Sequence, residues 1–151
     1  MKNYSYSEIC RIFSNFYPSN MKDMSIFNDK EYEIILNEFC GNKSEEIDPE
    51  YLYVKYNHFL PSVFLYMDEN FFLCYIPVFL ELVKMDFDRE HGLDMYSVLI
   101  ERFSGQNINS CNLFSALSLG QKKLVRIILF DDNIPPEEID ESVLPIYNAL
   151  R

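Results

Sequence analysis

Apolar residues return at the spacing of a helical turn along most of the chain, and the interruptions are of the kind that start or stop helices. Ser5-Tyr6-Ser7-Glu8 has the spacing of a capping box, in which serine hydroxyl and glutamate carboxylate each satisfy a free amide of the first turn. Ile9, Ile12, Phe13 and Phe16 follow on one face until Pro18. Asn20 to Ile26 reads as an irregular link, and Asn28 with Glu31 repeats the cap-and-carboxylate pattern. Tyr32, Ile35, Leu36 and Phe39 then make an i, i+3, i+4, i+7 stripe that Gly41 should terminate in the left-handed conformation. Asn42 to Asp48 is a polar, acidic loop, and Asp48-Pro49 supplies an N-cap followed by proline at the first helical position.

The stretch from Tyr51 to Val83 reads as the core. It holds ten of the chain's 24 Phe and Tyr residues, and its charged residues are Lys55, Asp68, Glu69 and Glu81. Two apolar runs, Phe59 to Leu65 and Phe71 to Val83, are broken by Pro61 and Pro77 and predict a buried helix pair. A proline costs ~3 kcal/mol in a helix interior, so each marks a kink or a fresh start. Tyr51 to Tyr56 also alternates in a way that a strand pair would use, but Pro49 argues for a helix.

Asp86 to Gly92 reads as an exposed loop, with Asp94 capping the next helix and Leu93 and Val98 stapled across the cap. Tyr96, Leu99, Ile100 and Phe103 form the buried stripe of that helix. After a polar loop from Ser104 to Ser110, Leu113, Phe114 and Leu117 begin another helical turn. Ser118-Leu119-Gly120-Gln121 is a second capping box, leading to Leu124, Val125, Ile128 and Leu129, with Lys122, Lys123 and Arg126 on the polar side. Pro135-Pro136-Glu137-Glu138 opens a last helix whose stripe, Val143, Leu144, Tyr147 and Leu150, is interrupted by Pro145. There is no internal repeat. The expectation is an all-α fold, a single-domain bundle over residues 1–151 with seven to nine mostly short helices.

Composition fits one self-standing domain: 151 residues are enough to bury roughly two-thirds of the unfolded surface, and 48% are hydrophobic. Cys10, Cys40, Cys74 and Cys111 lie far apart among apolar neighbours, with no C-x-x-C pair, and read as reduced, buried thiols. The N-terminus begins no apolar signal segment, and no apolar run approaches the ~18 residues that span a bilayer. A soluble cytoplasmic protein is expected.

Thirteen basic against 24 acidic residues give a net charge of −11, which disfavours nucleic acid and anionic membrane as partners and suits a basic protein. Nearly all of that charge lies after Ser44, in three clusters. The first is Glu45, Glu46, Asp48 and Glu50, the second Asp86, Asp88, Glu90 and Asp94, and the third Asp131, Asp132, Glu137, Glu138, Asp140 and Glu141. Such acids also raise solubility and favour helix N-termini, by ~0.3–1 kcal/mol each.

Chemistry is sparse. Asp86, Asp88, Glu90, His91 and Asp94 offer metal-type ligands, but a calcium loop counted from Asp86 needs glycine at its sixth position, where His91 stands. A solvated turn or partner-contact loop is the better reading. His58, among aromatic residues, reads as a hydrogen-bonded structural histidine with no nucleophile motif nearby. Neither G-x-S-x-G nor a P-loop occurs, so no enzyme activity, metal or other cofactor is expected.

Phe59-Leu60-Pro61-Ser62-Val63-Phe64-Leu65, Phe114-Ser115-Ala116-Leu117-Ser118, and Gln121 with Val125 and Leu129 carry a resemblance. The region from Tyr51 to Phe130 resembles small helical bacterial proteins, some of them immunity proteins of polymorphic-toxin and contact-dependent growth inhibition systems. The resemblance implies an antitoxin that binds a delivered toxin domain, often a basic nuclease, and covers its active site or substrate groove. The docking residues expected on that reading are the acids of the second and third clusters, with Tyr147 or Phe87 as an aromatic anchor. A helical adaptor within a larger assembly is the alternative of a different class. A metal-dependent hydrolase built on the Asp86 to Asp94 loop is a third.

Overall fold

The computed structural model describes residues 4–16, 30–67, 69–89, 92–103, 112–130 and 135–151; among these every regular element is helical and there is no strand. The protein is all-α. Its helices are α1 (Tyr6–Ile12), α2 (Lys30–Phe39), α3 (Pro49–Tyr56), α4 (Leu60–Tyr66), α5 (Glu69–Cys74), α6 (Ile76–Asp88), α7 (Met95–Phe103), α8 (Leu119–Phe130) and α9 (Leu144–Ala149), with short 3-10 turns between several of them. The expected link over Asn20 to Ile26, the Asn28 cap and the Ser104 to Ser110 loop lie outside the described residues, as do Asp68, Glu90, His91, Cys111, Asp131 and Asp132.

The helix starts follow the capping chemistry. The Ser5 hydroxyl accepts the Glu8 amide at 3.2 Å while the Glu8 carboxylate accepts the Ser5 amide at 3.1 Å. Asp48 accepts the Glu50 amide at 3.1 Å, with Pro49 in the first turn. That start settles Tyr51 to Tyr56 as helix: Leu52, Tyr53 and Tyr56 are buried while Tyr51, Val54 and Lys55 are exposed, a helical and not an alternating pattern. Pro61, Pro77 and Pro145 each stand in the first turn of a helix, so all three mark fresh starts.

Two expected boundaries move. The helix containing Val83 runs on through Asp88, so Asp86, Phe87 and Asp88 belong to its last turn and not to a loop. Residues 136–138 form one turn of 3-10 helix, and the last α-helix starts beside Pro145 instead of being interrupted by it. A proline lacks the amide that an interior turn would use but loses nothing in a first turn.

Helix α6 touches more of the other helices than any other element does, packing against α1, α3, α5, α7 and α8. Ile76, Pro77, Val78, Phe79, Leu80, Leu82 and Val83 are buried around nearly its whole circumference. Edge-to-face and tilted rings fill the space beside it: Phe39 lies 5.8 Å from Phe64 and 5.0 Å from Tyr75, and Phe79 lies 5.5 Å from Phe64 and 5.2 Å from Phe72. Such pairs add ~0.5–1.5 kcal/mol each beyond burial. Fully buried Tyr75 sends its hydroxyl towards the carbonyls of Phe39 and Asn42, the latter at 2.7 Å. It thereby closes the end of α2, which Gly41 terminates at φ +79°.

Gln121 joins the two ends of the sequence. Its amide nitrogen donates to the Ile12 carbonyl at 2.9 Å and to Asn15 Oδ1 at 2.6 Å, while its oxygen accepts the Ser118 amide at 2.9 Å. One side chain thus completes the capping box of α8 and satisfies the C-terminal end of α1. Gln121→Ala should strand those buried groups and lower stability by ~1–3 kcal/mol in a urea titration. Gln121→Glu should cost at least as much, because a carboxylate would face the Ile12 carbonyl.

Candidate docking surface

Asp86 does not stand free for a partner. Its carboxylate accepts the amides of Leu93 at 2.5 Å and Met95 at 2.6 Å, with the Tyr53 hydroxyl at 3.4 Å. An acid in the last turn of α6 opposes the helix dipole, and the amides at the start of α7 offset that cost. The group that meets the first amide of α7, that of Met95, therefore comes from Asp86 in the preceding helix, in place of the local cap expected at Asp94. Asp94 sits at φ +59°, is exposed, and offers its carbonyl to the Ser97 amide at 3.1 Å. Gly92 allows this arrangement, since a β-carbon there would lie 2.6 Å from Asp86 Oδ1.

Asp88, Glu137, Glu138, Asp140 and Glu141 are exposed. Asp140 accepts the Ser142 amide at 2.8 Å and its hydroxyl at 2.7 Å, and the hydroxyl bond followed by the amide bond holds its carboxyl below the usual range. Phe87, about half exposed, packs on Tyr96 at 6.0 Å. Burial raises the Tyr96 hydroxyl, and the charge of Asp140 adds to the rise. Tyr147 is half-buried against Phe130 at 5.5 Å.

The first acidic cluster forms the concave feature. Glu38, Asn42, Glu46, Ile47, Asp48, Tyr51 and Leu52 line a groove of about 170 Å³ between the end of α2 and the start of α3. Glu46 accepts the Lys43 amide at 3.2 Å, Asp48 the Glu50 amide, and Glu38 the Tyr56 hydroxyl at 2.8 Å. Each of these carboxylates is committed through one oxygen. Glu50 leaves the groove to pair with Arg89, whose guanidinium lies 4.4 Å from the Tyr53 ring. Lys55 stands at the rim, its ammonium 5.1 Å and 5.2 Å from the Tyr51 and Tyr56 rings, 2.6 Å from the Tyr51 hydroxyl and 3.9 Å from Glu38. Hydrogen bonding to Tyr51, then Tyr56, raises its pKa above the ordinary lysine value.

The sequence marked Glu46 and Asp48 as acidic but placed its docking residues in the later clusters. Glu38, which spacing assigns to the polar face of α2, joins Glu46 and Asp48 in the groove wall through the turn at Gly41.

Conventional nucleophiles are quiet. Burial pushes the Cys10 thiol up to about 11 and raises Cys40 and Cys74. His58 is exposed in a 3-10 turn, not built into the aromatic core as a structural histidine. No group of three His, Cys, Asp or Glu among the described residues is placed to hold a metal ion, and no described helix is long and apolar enough to cross a membrane. Compared with protein-family models, curated proteins and solved structures, the chain matches none.

Asp86→Asn, which turns one acceptor into a donor facing an amide, and Gly92→Ala should each cost ~1–3 kcal/mol in thermal or urea unfolding. The double variant should cost less than the sum, because both act on the same carboxylate. Raised thiol pKa values mean less thiolate below about pH 9, so iodoacetamide at pH 8 should label Cys10 last of the three described thiols and at least ~10-fold faster once urea unfolds the chain. Peptide mapping of the alkylated sites checks this.

Proposed function

We propose that this chain is a non-enzymatic immunity protein, acting in the cytoplasm by binding a basic, nuclease-type toxin domain through its acidic surface. The observation that carries the reading is the exposure of Asp88, Asp94, Glu137, Glu138, Asp140 and Glu141 on a chain of net charge −11, with half-exposed Phe87, next to Asp88 in sequence, packed on Tyr96. Exposed acids of one sign speed encounter with a cationic partner, and a neighbouring aromatic supplies apolar contact that charge alone does not. The raised thiols and the internally bonded Asp86 support a binding role over a catalytic one.

Co-expression with each neighbouring reading frame of the source genome tests the reading. One neighbour should encode a basic domain that arrests growth alone and is harmless when this chain is present. The purified pair should hold together at low salt and weaken at ~0.5 M, where exposed charges are screened beyond a few ångströms. Replacing Asp88, Glu137, Glu138 and Glu141 by their amides should weaken binding at least ~10-fold, about 1.4 kcal/mol. A chain that protects against no neighbour and binds no basic domain would overturn the proposal.

A further inference from the structure

The exposed face of α3 and the groove at its first turn have a chemistry of their own. Tyr51 and Val54 are 44% and 66% exposed on one side of α3, next to Ile47 and Leu52 in the groove wall. Around this apolar strip stand Glu38, Glu46 and Asp48, from three different elements, each with one carboxylate oxygen already bonded and the other available as an acceptor. The chain's own Lys55 displays the kind of group the rim accepts, a cation held between two tyrosine rings and a carboxylate. One ammonium against three carboxylates leaves the groove negative.

We infer that this groove is the docking point for an arginine-bearing segment of the partner, its guanidinium among Glu38, Glu46 and Asp48 and its flanking apolar residue on Tyr51 and Val54. The inference deepens the reading of an acidic binding protein and rests on it. Charge complementarity selects a cation. Arginine is favoured over lysine because a planar fork of donors can serve carboxylates from several directions while its face lies on a tyrosine ring. The docked cation competes with Lys55 for Glu38 and Tyr51, so Lys55 acts as a rim charge that weakens binding.

The test is a titration of the full-length, 15N-labelled chain at low salt with a short acetylated peptide amide in which a leucine lies between two arginines, and with its citrulline counterpart. Shifts should concentrate on Asn42, Glu46, Asp48, Tyr51 and Leu52 with the arginine peptide and vanish with citrulline. Glu46→Gln combined with Asp48→Asn keeps the acceptors for the Lys43 and Glu50 amides, so the fold should survive; affinity should fall at least fivefold. Lys55→Gln should raise affinity two- to threefold. Shifts centred on Glu137 to Glu141, with Glu137→Gln and Glu138→Gln causing the larger loss, would overturn the groove and leave the acidic-binding reading intact. No arginine-dependent shift anywhere would overturn both. Shifts at Tyr51 and Val54 that persist with citrulline, or that appear on concentration alone, would assign the face to an apolar partner or a second copy and also overturn the inference.

Discussion

Burial of α6 around nearly its whole circumference is the constraint from which the rest of the structure follows. A helix apolar on one stripe needs one neighbour, whereas Ile76 to Val83 needs cover on every side, and α1, α3, α5, α7 and α8 supply it. Each large apolar side chain so removed from water contributes ~1.5–3 kcal/mol, which lets several flanking helices be too short to hold alone. Tyr75, one residue before α6, converts that burial into position. Its ring packs against Phe39 and Phe71 while its hydroxyl reaches the end of α2, so the turn at Gly41 and the groove beyond it are set by the core.

Elements whose signals are local could be read directly. The two capping boxes, the Asp48-Pro49 start and the Gly41 stop each depend on residues within a turn or two of one another, and each forms; the apolar runs between Tyr51 and Val83 mark the core by composition alone. What could not be read was the destination of a group whose partner lies in another element. Asp86 looked like a loop acid because spacing cannot show that its carboxylate will meet the amides of Leu93 and Met95. Gln121 looked like half of a local capping box, and its second role, holding Ile12 and Asn15, depends on α8 packing beside the end of α1. Pro145 illustrates the converse: the stripe through Val143 to Leu150 suited a helix, but only an interruption upstream makes proline a first-turn residue.

The same distinction applies to the acidic surface. Counting charges located three clusters, yet a count treats every carboxylate as equal, and the folded chain does not. Asp86 and Glu50 are engaged by other parts of the chain, Asp140 is bound by Ser142, and Glu137, Glu138 and Glu141 are exposed. Glu38, from a helix that contributed little to the charge pattern, joins Glu46 and Asp48 because the end of α2 is folded back by Gly41 and held by Tyr75.

On the proposed reading of an acidic binding protein, rigidity distinguishes the two acidic regions as binding surfaces. The carboxylates of Glu46 and Asp48 are each fixed by a backbone amide in a helix cap, and Glu38 is fixed by Tyr56, so little side-chain freedom remains to be lost on docking. Exposed acids such as Glu137 and Glu138 would have to be ordered by the partner itself. Exposed charge of that kind accelerates encounter and is screened by salt, while a preorganised concave site beside Tyr51 and Val54 is where orientation can be selected. On that reading, long-range attraction by the later clusters and local recognition at the α2–α3 groove are complementary tasks, and the core that buries α6 holds the groove in shape for the second of them.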